Sequence, residues 1–246
     1  IRDFGEVEHL QVSQKGPADF VSNADHKAEK ILREELQKAR PRFGFLLEEG
    51  GEIKGEDISN RLIVDPLDGT TNFLHGIPHF SISIALERDG IPYAGVVYEP
   101  IHDEMYWAEK GSGAFLNGRR LRVSGRKEMN ESLFSTGIPF LGAKDHPQFL
   151  KELEAVMAVS AGVRRFGSAA LDLAYVAAGR YDGFWETGLN AWDIAAGIVL
   201  VREAGGLVYE IDGGTKMLDS GNILATNSPL QTPLGKILRS ANKTSK

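Results

Sequence analysis

The chain has no cysteine among its 246 residues. That excludes disulfides and thiolate metal sites, and it is compatible with a reducing cytoplasm. No apolar run approaches the roughly 18 residues that a membrane span requires. There is no signal-peptide pattern, internal repeat or low-complexity tract. Basic residues form no cluster. The net charge is −6 and the isoelectric point about 5.6, with both signs mixed along the chain. Nothing therefore marks a nucleic-acid or membrane surface. An acidic protein can still bind an anion if it recruits a cation. An initiating methionine is also absent: "IRDFGEVEHL" begins at Ile1 and reads as the tail of an interrupted helix, so a native N-terminal helix is expected upstream.

What is present is ordinary for a soluble protein with a large core: 42% apolar and 25% charged residues. The length fits one large domain or two small ones. "NADHKAEKILREELQKAR" places Ala28, Ile31, Leu32 and Leu36 at helical spacing, with Asn23 as N-cap and Pro41 as the stop. "FGFLL" and "RLIV" read as strands. Asp89-Gly90 and Asn117-Gly118 mark hairpin turns. Downstream of "VSGRKEMNE" the style changes. The strands "SLFSTGI", "YDGFWE", "LVYE" and "NILATN" alternate with the helices "HPQFLKELEAVMAVS", "SAALDLAYVAAG" and "AWDIAAGIVLVREAGG", and a last helix spans about Pro229 to Arg239. An α+β half, residues 1–126, followed by an α/β half, residues 127–246, is the expected organisation.

Three acidic elements interrupt this pattern. "RLIVDPLDGTTNF" sets Asp65 and Asp68 three residues apart where a strand should end. Alone, such a stretch is more often a turn, or a helix start with Asp65 as N-cap and Pro66 at the first position. "LLEEGGE" sets Glu48 and Glu49 at another strand end, where only one of two adjacent side chains can face a given pocket. "LNAWDIAAG" puts Asp193 at a helix start, where helix capping alone would account for it. Carboxylates gathered in one place are tolerable if hard cations sit among them, and oxygen-only ligation favours Mg2+ over zinc. Gly69 and Thr70, at a helix start, offer backbone N–H groups to an anion. The combination suggests phosphoryl chemistry. His75 and His79 have Gly76 and Pro78 between them, do not share a helical face, and read as structural. "KGSGAFLNG" reads as a hairpin and not a nucleotide loop.

"EEGG", "DPLDGTTNF" and "WDIAAG", in this order, resemble the inositol monophosphatase family of Mg2+-dependent, lithium-sensitive phosphatases, and the bacterial members most. "KGPADFVSNADHKAE", "RRFGSAALDLAYVAAG" and "YDGFWETG" extend the likeness over nearly the whole chain. The resemblance implies a layered αβαβα sandwich, commonly a homodimer. It implies a phosphate monoester substrate and two or three Mg2+ ions held by Glu49, Asp65, the carbonyl of Leu67, Asp68 and Asp193. It gives Thr70 and Asp25 the orienting of the attacking water, with Glu49 holding its metal. Gly69 and Thr70 would contact phosphate, Gly167, Ser168 and Ala169 would form a substrate-contacting turn, and Glu186 would accept hydrogen bonds from inositol hydroxyls. Asn190 stands where some relatives carry His. The same machinery acting on histidinol phosphate, fructose 1,6-bisphosphate or a phosphoadenosine nucleotide is the nearest alternative. A regulatory protein on this fold is a further one.

Overall fold

The computed structural model describes residues 12–16, 19–139 and 145–243, with Phe4 before them; for 12–22 and 243 only the backbone is described. The expected helix tail over residues 1–10 lies, apart from Phe4, outside the described residues. A short hairpin, β1 (Val12–Gly16) and β2 (Asp19–Ser22), leads into α1 (Asn23–Ala39). Eight strands then form one sheet: β3 (Phe43–Leu47), β4 (Gly51–Ile53), β5 (Asp57–Asp68), β6 (Ser81–Arg88), β7 (Ile91–Glu99), β8 (Glu104–Glu109), β9 (Gly113–Leu116) and β10 (Arg119–Arg120), with the short helix α2 (Thr70–Leu74) after β5. Their order is β10-β9-β8-β7-β6-β5-β3-β4, antiparallel except for β3 beside β5. Asp89, Gly90, Asn117 and Gly118 all have positive φ, as the two-residue turns at these hairpins require.

The second sheet comprises β11 (Leu133–Thr136), β12 (Gly162–Arg164), β13 (Gly183–Glu186), β14 (Leu207–Tyr209) and β15 (Ile223–Thr226), in the order β12-β11-β13-β15-β14. Its helices are α3 (His146–Met157), α4 (Ala169–Ala177), α5 (Ala191–Glu203), α6 (Met217–Ser220) and α7 (Ser228–Lys243).

Strand alternation sorts the side chains of the two sheets into separate cores, and these define the layers. Leu62 and Val64 of β5, with Phe45 and Leu47 of β3, pack under Leu32 and Leu36 of α1. Ile63, Ala85, Val97 and Tyr106 point the other way, onto α4 and α5, which meet Phe184, Ile223 and Ala225 of the second sheet on their far side. Phe134, Trp185 and Leu224 face outward again, covered by Val156 of α3 and by Leu230, Leu234 and Leu238 of α7. The result is the αβαβα sandwich that the resemblance implies. Helices α4 and α5 are apolar nearly all round because both sheets cover them, which is the signature of a central layer.

Two elements differ from the sequence expectation. The helix start at Asp65-Pro66 is absent. β5 continues to Asp68, with Asp65 opposite Ser83 and Asp68 opposite Ser81. A register irregularity between them absorbs Pro66, which has no N–H to give the ladder. The last helix begins at Ser228 and runs on to Lys243, because Leu230, Leu234 and Leu238 keep one buried stripe through it and Pro233 does not end it.

Candidate active site

A cavity of about 290 Å3 opens where the end of β5 meets the start of α2, α4 and α5. Asp65, Leu67, Asp68, Gly69, Thr70, Gly167, Ser168, Ala169, Glu186 and Asp193 all line it. Asp65 and Asp193, 128 positions apart in sequence, are thereby brought onto one wall. One carboxylate oxygen from each of Asp65, Asp68 and Asp193 lies within 4.8 Å of the other two.

Each carboxylate is held by its own local chemistry. Asp65, 3% exposed, accepts the N–H of Leu67 at 2.9 Å, which folds the strand end back on itself. Asp68 accepts the Ser168 hydroxyl and the N–H of Ala170 at 2.9 Å, so it sits on the N-terminus of α4. Asp193 is the third residue of α5 and accepts the N–H of Asn190 at 2.6 Å, one half of a reciprocal capping box. The capping reading of Asp193 is therefore correct, and it does not compete with a place in the cluster.

Burial and mutual repulsion set the electrostatics of the cluster. Burial, then the charges of Glu48, Asp68 and Asp193, push the Asp65 carboxyl well above the usual range. Burial pushes Asp68 up to about 6 despite the Ser168, Ala169 and Ala170 donors. Burial and Asp68 push Asp193 to about 8, and burial with Asp193 and Asp68 pushes Glu186 to about 8. An oxygen-only donor set under this mutual repulsion suits a hard divalent ion.

The structure puts Glu48, not Glu49, on the cavity wall. The reason is strand parity. Phe45 and Leu47 face α1, and Leu46 faces the central layer. The ladder continues one residue further, with the N–H of Glu48 donating to the carbonyl of Val64 at 3.1 Å. Glu48 thus shares the Leu46 side, and its charge acts on Asp65 and Asp193. Glu49 is off the wall; its N–H donates to Glu29 of α1 at 2.8 Å, and its charge acts on Glu29.

Thr70 and Asp25 meet as expected. The Thr70 hydroxyl lies 3.0 Å from Asp25 Oδ1 and 3.0 Å from the Leu67 carbonyl. Asp25 is fully buried behind Thr70 and does not itself line the cavity. Gly69 caps α2 with φ +96°, and a Cβ there would lie 3.1 Å from the His79 carbonyl. Glu186, at the end of β13, lies against Gly137, where a Cβ would fall 1.8 Å from Glu186 Oε1. His75 and His79 stay off the wall: His75 Nδ1 is 3.0 Å from the Thr71 carbonyl, and His79 packs on Phe166.

Arg165, exposed on the rim, was missed by the sequence reading, although it stands in "RRFG" directly before the Gly167–Ala169 turn. Its charge opposes the upward shift of Glu186. Thr187 to Asn190 and Trp192 complete the wall beyond Glu186.

The family is now established. A model of the inositol monophosphatase family matches residues 2–244, and the chain belongs to that family. It is 62% identical to an inositol-1-monophosphatase of Mesorhizobium japonicum over 238 residues, 97% of this chain and 90% of that one. It is 46% identical to a protein named Nus factor SuhB of Pseudomonas aeruginosa, over 92% of this chain and 85% of that one. Among solved structures it superimposes with a TM-score of 0.94 on the extragenic suppressor protein suhB from Bartonella henselae, at 59% identity, covering 96% of this chain and 91% of that chain.

Proposed function

We propose that the protein is a Mg2+-dependent phosphatase that hydrolyses inositol 1-phosphate, or a similar polyol phosphate monoester, to the alcohol and inorganic phosphate. The observation that carries this reading is the convergence of Asp65, Asp68 and Asp193 within 4.8 Å beside Glu48, in a cavity that also holds three helix starts.

Two or three Mg2+ ions would be held by Glu48, in the place first given to Glu49, with Asp65, the Leu67 carbonyl, Asp68 and Asp193. When bound, Mg2+ supplies Lewis acidity that lowers the pKa of the attacking water and stabilises the leaving oxygen. The protein's own groups do the rest. The Thr70 hydroxyl donates to Asp25, which leaves its lone pairs to accept a hydrogen bond from the incoming water and orient its oxygen toward phosphorus. The N–H groups of Gly69 and Thr70 meet the phosphate oxygens. Glu186 accepts from the polyol hydroxyls on the far wall, with Gly167 to Ala169 closing the near side.

The finer features follow the family: inhibition by Li+, a homodimer, and a cytoplasmic setting. Li+ inhibition should be uncompetitive with substrate; competitive inhibition, or none, counts against the Asp65–Asp68–Asp193 assignment. A regulatory role is a second reading, favoured by the relatives named Nus factor SuhB. The buried acidic cluster supports turnover, since unneutralised carboxylates only destabilise a fold that does not use them. The test is a panel of phosphate monoesters with Mg2+, scored by kcat/KM. Inositol 1-phosphate should lead, activity should vanish in excess EDTA, and full turnover in EDTA would sink the proposal.

A further inference from the structure

We infer that Glu29, on α1, is a positioning residue for the metal cage: by gripping the peptide units that follow Glu48, it holds Glu48 on the face that strand parity gives it. This rests on the Mg2+ reading above.

Glu29 is 7% exposed, although its neighbours Lys27 and Lys30 on the same helix are not buried. Burying a carboxylate is costly unless donors satisfy it, and the side chains on this face of α1, such as Leu32 and Leu36, pack in an apolar core. The donors come from the turn after β3. The Glu49 N–H lies 2.8 Å from Oε2. A Cβ on Gly50 would stand 3.0 Å from Oε1, so the carboxylate lies flat against two successive peptide units. Burial raises the Glu29 pKa, and the N–H groups of Glu49 and Gly50 oppose that rise.

Glu49 is tied to α1 by its backbone, which leaves Glu48 committed to the opposite face. One turn earlier on the helix, Asp25 takes the Thr70 hydroxyl. Residues four apart share a helical face. One face of α1 therefore carries two buried carboxylates, and each fixes one of the two loops that bear the cage: the turn after Leu47 and the start of α2. The helix acts as a strut between them.

The experiment is Mg2+ titration by calorimetry, without substrate, on the full chain and on Glu29→Gln, with Tm measured alongside. Gln keeps one carbonyl acceptor but must turn its amide donor toward a backbone N–H. The Mg2+ dissociation constant should rise about 10- to 100-fold, as for loss of a group that orients a ligand. In a Glu48→Gln background the same change should cost nothing further. A lower Tm with unchanged Mg2+ affinity would overturn the inference and leave Glu29 a packing residue. Should Glu29→Gln not fold, Gly50→Ala presses on the same carboxylate and should weaken Mg2+ binding; unchanged affinity there also overturns it. If the unsubstituted chain binds no Mg2+, the metal reading fails and takes this inference with it. Equal affinity in both proteins overturns the inference alone.

Discussion

Glu48→Gln and Glu49→Gln separate strand parity from motif position, because the two residues are neighbours with the same side chain. A unit charge about 4 Å from a divalent ion is worth about 8 kcal/mol at an effective dielectric of about 20, twice the value for two unit charges. Repulsion from Asp65 and Asp193, whose carboxyls Glu48 pushes up, takes back a large share, as does desolvation of the carboxylate. A net loss of about 3–4 kcal/mol remains for Glu48→Gln, or about 10²- to 10³-fold in kcat/KM at fixed Mg2+. Glu49 does not line the cavity and its charge acts on Glu29, so its amide should cost less than about tenfold. Both are read by kcat/KM across a Mg2+ series, with Mg2+ affinity measured directly by calorimetry. A second effect makes the test sharper. Removing the Glu48 charge relieves Asp65 and Asp193, so the Mg2+ affinity that remains should rise at lower pH than in the parent. Equal losses from the two variants, or a larger one from Glu49→Gln, would refute the parity argument.

Three further outcomes are expected. Asp193→Asn should cost several orders of magnitude in kcat while leaving α5 intact, since an amide oxygen can still accept the Asn190 N–H; retained activity, with the helix preserved by circular dichroism, would reduce Asp193 to a cap. Glu186→Gln keeps shape but weakens charge-assisted acceptance by roughly 1.5–3 kcal/mol, about 10- to 100-fold in kcat/KM on inositol 1-phosphate and almost nothing on an aryl phosphate; equal losses on both would place it with the metals. Mg2+ affinity should climb as pH rises from 6 through 8, because Asp68, pushed to about 6, and Asp193, pushed to about 8, must shed protons to bind a cation. By the same sign, the metal-free fold binds protons there that the unfolded chain does not. Its Tm should fall as pH rises through 8, and Mg2+ should reverse the fall; a pH-independent affinity would contradict the cage.

The layered fold was legible because its signals are local. The helical spacing of Ala28 to Leu36, the Asp89-Gly90 and Asn117-Gly118 turns, and the all-round apolar "SAALDLAYVAAG" each state their structure within a dozen residues. The cavity residues Asp65, Asp68 and Asp193 were legible through motif order, although no local rule says that α4 and α5 bring their starts to the end of β5. Parity was legible in principle: Leu46 and Glu48 are two apart, with Glu48 one residue past the end of β3. Only tertiary structure decided which face of β3 looks onto α1 and which onto the central layer, because alternation gives two faces without saying what covers each. Pro66 likewise fits a helix start and a strand irregularity equally well in sequence. Pairing with Ser81 and Ser83 chose the strand, since β6 offers a ladder that no sequence window around Pro66 contains. Glu29 shows the same division. Its place in a helix is written in the chain, but its burial against the turn after Glu48 depends on α1 lying across β3, a contact between segments twenty residues apart.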